Sequence, residues 1–102
     1  MLHVESFTFN PFSQNTYLIY NDEKEAFLID PGNMPDGETK VLNDFIQAKN
    51  LTVQNILLTH AHIDHIIGLQ WAYNEFKVPV LLHPNEIEIL EMAPLTAKNY
   101  GF

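Results

Sequence analysis

Apolar and polar positions alternate with a period of two over the first third of the chain. Three segments rich in β-branched and aromatic residues lie there, separated by polar turns, and each predicts a short strand. The predicted strands cover about residues 3–10, 15–20 and 25–30. Strands that are this short and follow one another this closely are typical of an antiparallel meander.

After the turn at Pro31-Gly32, the apolar positions recur at helical spacing. One helix is predicted over residues 37–49 with Asp36 as its N-cap, and a second helix runs to about residue 77. We expect the aromatic residues of the second helix to belong to the core. The apolar stripe of the first helix comprises Val41, Leu42, Phe45 and Ile46, and the second helix carries Ile66, Leu69, Trp71, Tyr73 and Phe76.

Short apolar segments alternate with these helices. Residues 53–58 predict a strand, and residues 78–82 predict an edge strand, because Pro79 lacks the amide proton that a central strand needs. Residues 85–92 predict a third helix. The chain thus changes from a meander to alternating helices and strands. This order predicts an α/β fold, or more loosely an α+β fold, in which a mixed sheet has helices on one face.

Length, composition and charge narrow the class of protein. A chain of 102 residues with 46 % hydrophobic residues fits one small globular domain. The net charge is −8 and all five basic residues are lysines, so we expect no nucleic-acid partner. No apolar segment is long enough to cross a bilayer and no secretory signal is visible. We therefore expect a cytoplasmic protein that has no membrane partner.

Four potential metal ligands, His60, His62, Asp64 and His65, lie within six residues where a strand ends and a helix begins. In extended backbone, His60 and His62 project to the same side, and a turn after them can aim the other two side chains at the same point. A histidine-rich surface loop is the alternative. The apolar pairs that flank the segment, 57–58 and 66–67, anchor it to the core and favour metal binding. The chain has no cysteine, so imidazole and carboxylate groups would hold the metal, which suits zinc and also iron or manganese.

Residues 59–68 contain His-x-His-x-Asp-His followed by a glycine, and they resemble the signature of the metallo-β-lactamase superfamily. Residues 28–32, Leu-Ile-Asp-Pro-Gly, and residues 15–19, Asn-Thr-Tyr-Leu-Ile, are similar to the glyoxalase II-like (hydroxyacylglutathione hydrolase-like) branch. The resemblance implies that residues 1–102 form a single incomplete domain. This domain would be the N-terminal half of an αββα sandwich.

The resemblance also implies roles for individual residues. His60 and His62 would bind the first of two divalent metals, while Asp64 and His65 would bind the second. Asp30 would hydrogen-bond near these ligands and fix their orientation, a role that is compatible with an aspartate that starts the Pro-Gly turn. The histidines that match no metal position, for which we expect structural or surface roles, are His3 and His83.

The implied activity is hydrolysis of a small-molecule thioester, such as a hydroxyacylglutathione, by a hydroxide that bridges two metals. Asp64 would help to orient this hydroxide, and the metals would be zinc, with iron or manganese as alternatives. The ligands that the family takes from its second half have no counterpart in the sequence, so we expect this chain to be inactive by itself. The alternative is a non-catalytic metal-binding or self-associating module. In that case a homo-oligomer would cover an apolar sheet face that the missing half leaves exposed.

Overall fold

The structure, a computed structural model, describes residues 1–35, 37–59 and 66–82. The predicted N-cap Asp36 and the predicted helix over 85–92 lie outside these ranges. The ends of the observed strands and helices lie within about three residues of the predicted ones, and several coincide with them. In chain order the elements are β1 (Leu2–Phe9), β2 (Gln14–Asn21), β3 (Glu25–Ile29), α1 (Gly37–Ala48), β4 (Thr52–Leu58), α2 (Leu69–Phe76) and β5 (Val80–Leu82).

The strands form one five-stranded mixed sheet in the order β1-β2-β3-β4-β5. The first three are paired antiparallel, which confirms the predicted meander. The pairs β3–β4 and β4–β5 are parallel. Among the strands of the described ranges β5 is the last in the sheet, in agreement with the edge position that Pro79 predicts. Parallel neighbours need a long crossover, and α1 and α2 supply it.

Both helices cover the same face of the sheet. Leu18, Leu28 and Ile56 are cross-strand neighbours at the centre of this face and are fully buried. The helix side chains that complete this single hydrophobic core are Leu42 and Ile46 of α1 and Ala72 of α2. The predicted arrangement, a mixed sheet with helices on one face, is therefore confirmed.

Two apolar residues that the helical spacing placed in the core are exposed. Val41 is 54 % exposed because Leu42 and Ile46, which are one turn apart, define the buried stripe of α1 and turn Val41 away from the sheet. Tyr73 is 51 % exposed because the small side chain of Ala72 is the one that α2 buries. The core prediction for these two positions was wrong.

The second face of the sheet carries uncovered apolar side chains in the part of the chain that is described. Val4, Ile19 and Phe27 are cross-strand neighbours there, and Leu2 lies nearby. Leu2 is 72 % and Phe27 is 42 % exposed. A groove of about 360 Å³ opens between these strands, and Gln54 and Glu25 contribute to its lining. The apolar surface that the sequence led us to expect is thus present.

Among the helices of the described ranges, none combines the length and the hydropathy that a membrane span needs.

Candidate metal centre

The predicted ligands His60, His62, Asp64 and His65 all lie outside the described residues. The structure does describe the residues on both sides of them: strand β4 leads to Thr59, and the chain is described again from Ile66. Because β3 and β4 are parallel neighbours, their carboxyl ends meet at one edge of the sheet. Ligand sites of α/β sheets lie at such edges. We call residues 60–65 the histidine segment. The described part of the candidate centre is therefore the loop that follows β3 together with the residues on either side of this segment, Thr59 and residues 66–68.

Asp30 binds the residue that directly precedes the first predicted ligand. Its buried carboxylate accepts two hydrogen bonds from Thr59, one from the backbone amide at 2.7 Å and one from the hydroxyl at 2.5 Å. Hydrogen bonds to an ionised carboxylate are about twice as strong as neutral ones. The carboxylate therefore fixes the end of β4 where the histidine segment starts.

The backbone of Asp30 has a left-handed conformation, with φ of 52°. Aspartate tolerates this region better than most residues. The Asp30 amide donates to the carbonyl of Leu57 at 2.9 Å, and its carbonyl accepts from the Thr16 hydroxyl at 2.8 Å. The buried Thr16 oxygen also accepts a hydrogen bond from the Gly32 amide at 3.0 Å. Asp30 thus starts the turn after β3, as expected, while its carboxylate accepts hydrogen bonds from Thr59 at the end of β4. Its role in orienting the metal ligands stays a prediction.

The loop after β3 also contacts the far end of the histidine segment. The Gly68 amide donates to the carbonyl of Pro31 at 2.7 Å. The side chain of Asn33 packs against Gly68 so closely that a Cβ atom at position 68 would lie 2.0 Å from the Asn33 Oδ1 atom. Gly68 has φ of −90°, which any L-residue adopts, so the neighbouring side chain rather than the backbone requires glycine here.

Glu38, in the first turn of α1, fixes this loop from its other side. Its carboxylate accepts from the Met34 amide at 2.8 Å and from the Asn10 amide at 2.9 and 3.0 Å. The Asn10 side chain in turn donates to the carbonyl of Gly32 at 3.0 Å. The β1–β2 turn, the loop after β3 and the start of α1 are therefore joined in one hydrogen-bonded network.

Sequence reasoning assigned no role to most residues of this network. Thr16 and Thr59 lie within the segments that carry the family resemblance, and the neighbouring motif residues were a signal for them. Glu38 is an acidic residue at a helix N-terminus, where a carboxylate can accept backbone amides. Nothing in the local sequence signals the contact between Asn33 and Gly68, because it forms only after the chain has folded.

A second group of charges lies at the opposite end of the sheet. His3 stacks on Tyr20, and its Nε2 atom lies 2.7 Å from the Asp22 carboxylate, which also accepts from the amino group of Met1. The hydrogen bond with His3, followed by the contact with the amino terminus, lowers the pKa of Asp22 below its ordinary value. His3 thus has surface contacts remote from the candidate centre. His83 lies outside the described residues.

The chemistry of the available side chains suits a divalent cation. Within residues 1–35, 37–59 and 66–82, no three histidine or acidic residues lie close enough to hold a metal. The ligands that the sequence predicts lie in residues 60–65. That segment offers three imidazoles and one carboxylate, which are donors that zinc and iron accept. A buried carboxylate that supports the residue next to these donors is a common feature of protein metal sites.

Comparison with known proteins places the chain in a family. The model of the metallo-beta-lactamase superfamily matches residues 9–98. Among curated proteins, the chain is 40 % identical over 85 residues to the probable metallo-hydrolase YqgX of Bacillus subtilis, covering 83 % of this chain and 38 % of the relative. It is 33 % identical over 101 residues to the hydroxyacylglutathione hydrolase GloC of Haemophilus influenzae, covering 98 % and 46 %. The chain therefore spans less than half the length of these relatives.

Solved structures agree with this placement. The crystal structure of BLEG-1 B3 metallo-beta-lactamase matches with a TM-score of 0.77 and 36 % identity, over 86 % of this chain and 40 % of that one. The crystal structure of TTHA1623 in a di-iron-bound form matches with a TM-score of 0.81 and 35 % identity, over 96 % and 47 %. The residues that the family model matches, 9–98, include the loop after β3 and the histidine motif. The chain therefore belongs to the metallo-beta-lactamase superfamily of metallo-hydrolases.

Proposed function

We propose that the protein at the full length of its relatives, called the native-length protein below, is a two-metal hydrolase. It would cleave a thioester such as a hydroxyacylglutathione. The observation that carries this proposal is the pair of hydrogen bonds from Thr59 to the buried Asp30 carboxylate, directly before the His-x-His-x-Asp-His segment. The similarity to a hydroxyacylglutathione hydrolase over nearly the whole chain supports the substrate class.

In this proposal, His60 and His62 hold one metal ion, and Asp64 and His65 hold the other. The native metal is zinc, and iron is the main alternative, because a similar protein is known in a di-iron form. When bound, the metals polarise a carbonyl oxygen and lower the pKa of water, which is the chemistry that thioester hydrolysis requires. Because the chain spans less than half of its relatives, the remaining ligands and most substrate contacts belong to the rest of the protein.

In this proposal, residues of this chain orient the groups of the metal centre. Asp64 is the proposed catalytic residue, because its carboxylate can hold the attacking water as well as a metal. Asp30 fixes Thr59 at the end of β4, the residue that directly precedes the first histidine. Preorganisation of this kind matters, because a ligand displaced by about 1 Å is enough to weaken a site.

The test uses the protein at its native length, loaded with zinc, and follows the release of free thiol from a hydroxyacylglutathione. We expect His60→Ala and Asp64→Ala to lower kcat/KM by more than about 100-fold, because loss of a direct ligand exceeds the 10- to 100-fold cost of removing a supporting partner. His3→Ala is the matched control, since His3 contacts Asp22 at the opposite end of the sheet, and it should retain the parent rate. Unchanged turnover in both site variants would exclude this function.

One observation favours a second candidate, a self-associating module without catalytic activity. The open face of the sheet, which we define by Leu2, Val4, Ile19 and Phe27, exposes apolar side chains that a second copy of the chain could cover. In this case metals would be shared between copies, and a chelator would dissociate the dimer. A protein that stays monomeric in the presence of zinc would count against this candidate.

A further inference from the structure

We infer that the loop after β3, residues 30–33, holds the histidine segment at both of its ends, and that Asn33 is a positioning residue for the metal ligands through its contact with Gly68. This inference rests on the proposed metal-binding function for its effect on zinc. The contacts that carry it are all between described residues. We call residues 30–33 the clamp loop.

The first end of the segment is fixed by charge and hydrogen bonding. Asp30, the first residue of the clamp loop, takes both the amide and the hydroxyl of Thr59. Asp30 is itself held by Leu57 and Thr16 through its backbone. Thr59 cannot leave this position without removing two hydrogen bonds from the buried Asp30 carboxylate.

The second end is fixed by a hydrogen bond and by close packing. Pro31 accepts the Gly68 amide, and Asn33 fills the space in which a side chain at position 68 would lie. A Cβ atom on Gly68 would approach the Oδ1, Cγ and Nδ2 atoms of Asn33 to 2.0, 2.4 and 2.8 Å. The whole amide group of Asn33 therefore faces the glycine Cα atom.

Hydrogen bonding determines which way the Asn33 amide points. The Thr39 hydroxyl donates to the carbonyl of Met34 at 2.8 Å, so its oxygen is left to accept the Nδ2–H of Asn33, also at 2.8 Å. This arrangement directs the Asn33 Oδ1 atom to Gly68. Asn33 is only 1 % exposed, and within the described ranges its Oδ1 atom accepts no hydrogen bond.

The buried Asn33 amide has two described contacts, a hydrogen bond to Thr39 and close packing on Gly68. The role that the contacts support is positional. With Thr59 bound to Asp30 and Gly68 bound to Pro31 and Asn33, both ends of the segment between them are attached to one short loop. A segment with two fixed flanks has far fewer conformations than one with a single fixed flank, so the clamp loop can position ligands that lie between Thr59 and Gly68.

The experiment is a double-mutant cycle between positions 33 and 68 in the native-length protein. Zinc affinity is measured by competition with a chromophoric chelator, and the visible spectrum of the cobalt form reports ligand geometry. The variants are Gly68→Ala, Asn33→Ala and the double variant. Gly37→Ala is the matched control, because Gly37 also lies at the start of a helix and a Cβ there would meet no atom within 4 Å.

We expect Gly68→Ala to weaken zinc binding by about tenfold or more and to change the cobalt spectrum, and Gly37→Ala to do neither. In the Asn33→Ala background, Gly68→Ala should cost less than about threefold, because the clash has been removed. A Gly68→Ala cost that is equal in the two backgrounds, or zinc binding by Gly68→Ala at parent affinity, overturns the inference.

If the Gly68→Ala variant does not fold, the double variant still tests the inference. A double variant that is folded by circular dichroism, and whose zinc affinity equals that of Asn33→Ala, supports the inference. A folded double variant that binds zinc more weakly than Asn33→Ala by tenfold overturns it. A parent protein that binds no zinc overturns the proposed function and this inference with it, whereas a zinc-binding parent with no coupling overturns the inference only.

Discussion

At the scale of single residues, Asp30 does more than its position at a strand end suggests. Its left-handed backbone turns the chain after β3, its amide extends the parallel pairing to Leu57, and its carboxylate takes both donors of Thr59. Few side chains combine a tolerance of positive φ with two strong acceptor atoms. This combination explains why an aspartate suits a position that joins the end of β3 to Thr59, the residue before the histidine motif.

Asp30→Ala should lower the free energy of unfolding by about 2–3 kcal/mol, because the Thr59 amide loses a charged acceptor and alanine disfavours positive φ. Asp30→Asn keeps one acceptor oxygen and tolerates the same backbone, so we expect a loss of only about 1 kcal/mol. Urea unfolding of the native-length protein, with a chelator present to remove the contribution of metals, measures both. An alanine variant as stable as the parent would show that the Thr59 contacts contribute little.

At the scale of elements, two crossover helices cover one face of a mixed sheet. Leu42 and Ile46 are the buried residues by which α1 packs on the strands. Phe45 makes edge-to-face contacts with Phe7 and Tyr20 at centroid distances of 5.6 and 6.2 Å. Ala72 lets α2 lie close to the sheet, with Trp71 and Phe76 packed edge-to-face beside it. α1 follows the loop after β3 and α2 begins directly after Gly68, so the two helices flank the described parts of the candidate centre.

Leu42 and Val41 form a matched pair for testing this packing, since they are adjacent apolar residues of α1 with opposite exposure. Leu42→Ala should cost about 2–5 kcal/mol, because it removes a fully buried side chain from a close-packed core. Val41→Ala should change stability by less than about 0.5 kcal/mol. Thermal or urea unfolding distinguishes the two, and similar losses for both variants would contradict the observed orientation of α1.

At the scale of the whole molecule, the described residues form a sheet with one face covered by helices and one open face. The open face presents a row of apolar neighbours from β1, β2 and β3. Contiguous apolar surface of this kind marks an interaction site. The relatives are more than twice as long as the matched region, so each has further chain of its own.

We expect the 102-residue chain to self-associate through its open face, and Phe27→Lys to shift it to the monomer in sedimentation velocity. Introducing a charge at a buried interface costs more than the contact gains. Val41→Lys adds the same charge on the exposed side of α1 and should leave the association unchanged. A parent chain that stays monomeric at high concentration, or two lysine variants that behave alike, would exclude this surface as the interface.

The sequence by itself determined the features that depend on near neighbours. Period-two segments predicted the strands of the meander, helical spacing predicted α1 and α2, and the change between them predicted the mixed sheet that is observed. The spacing His-x-His-x-Asp-His indicated the family, which the comparisons confirm. Its ligand roles stay predictions. These features could be predicted because propensity and side-chain direction act over a few residues.

Tertiary structure alone decided which residues meet. Asp30 and Thr59 are 29 positions apart and become neighbours because β3 and β4 pair in parallel. The contact between Asn33 and Gly68 depends in addition on how α1 and α2 cross the sheet, so no local sequence pattern predicts it. Val41 and Tyr73 were misplaced for the same reason. Helical spacing shows that a helix has an apolar side, but the partner surface decides which of its apolar residues are buried.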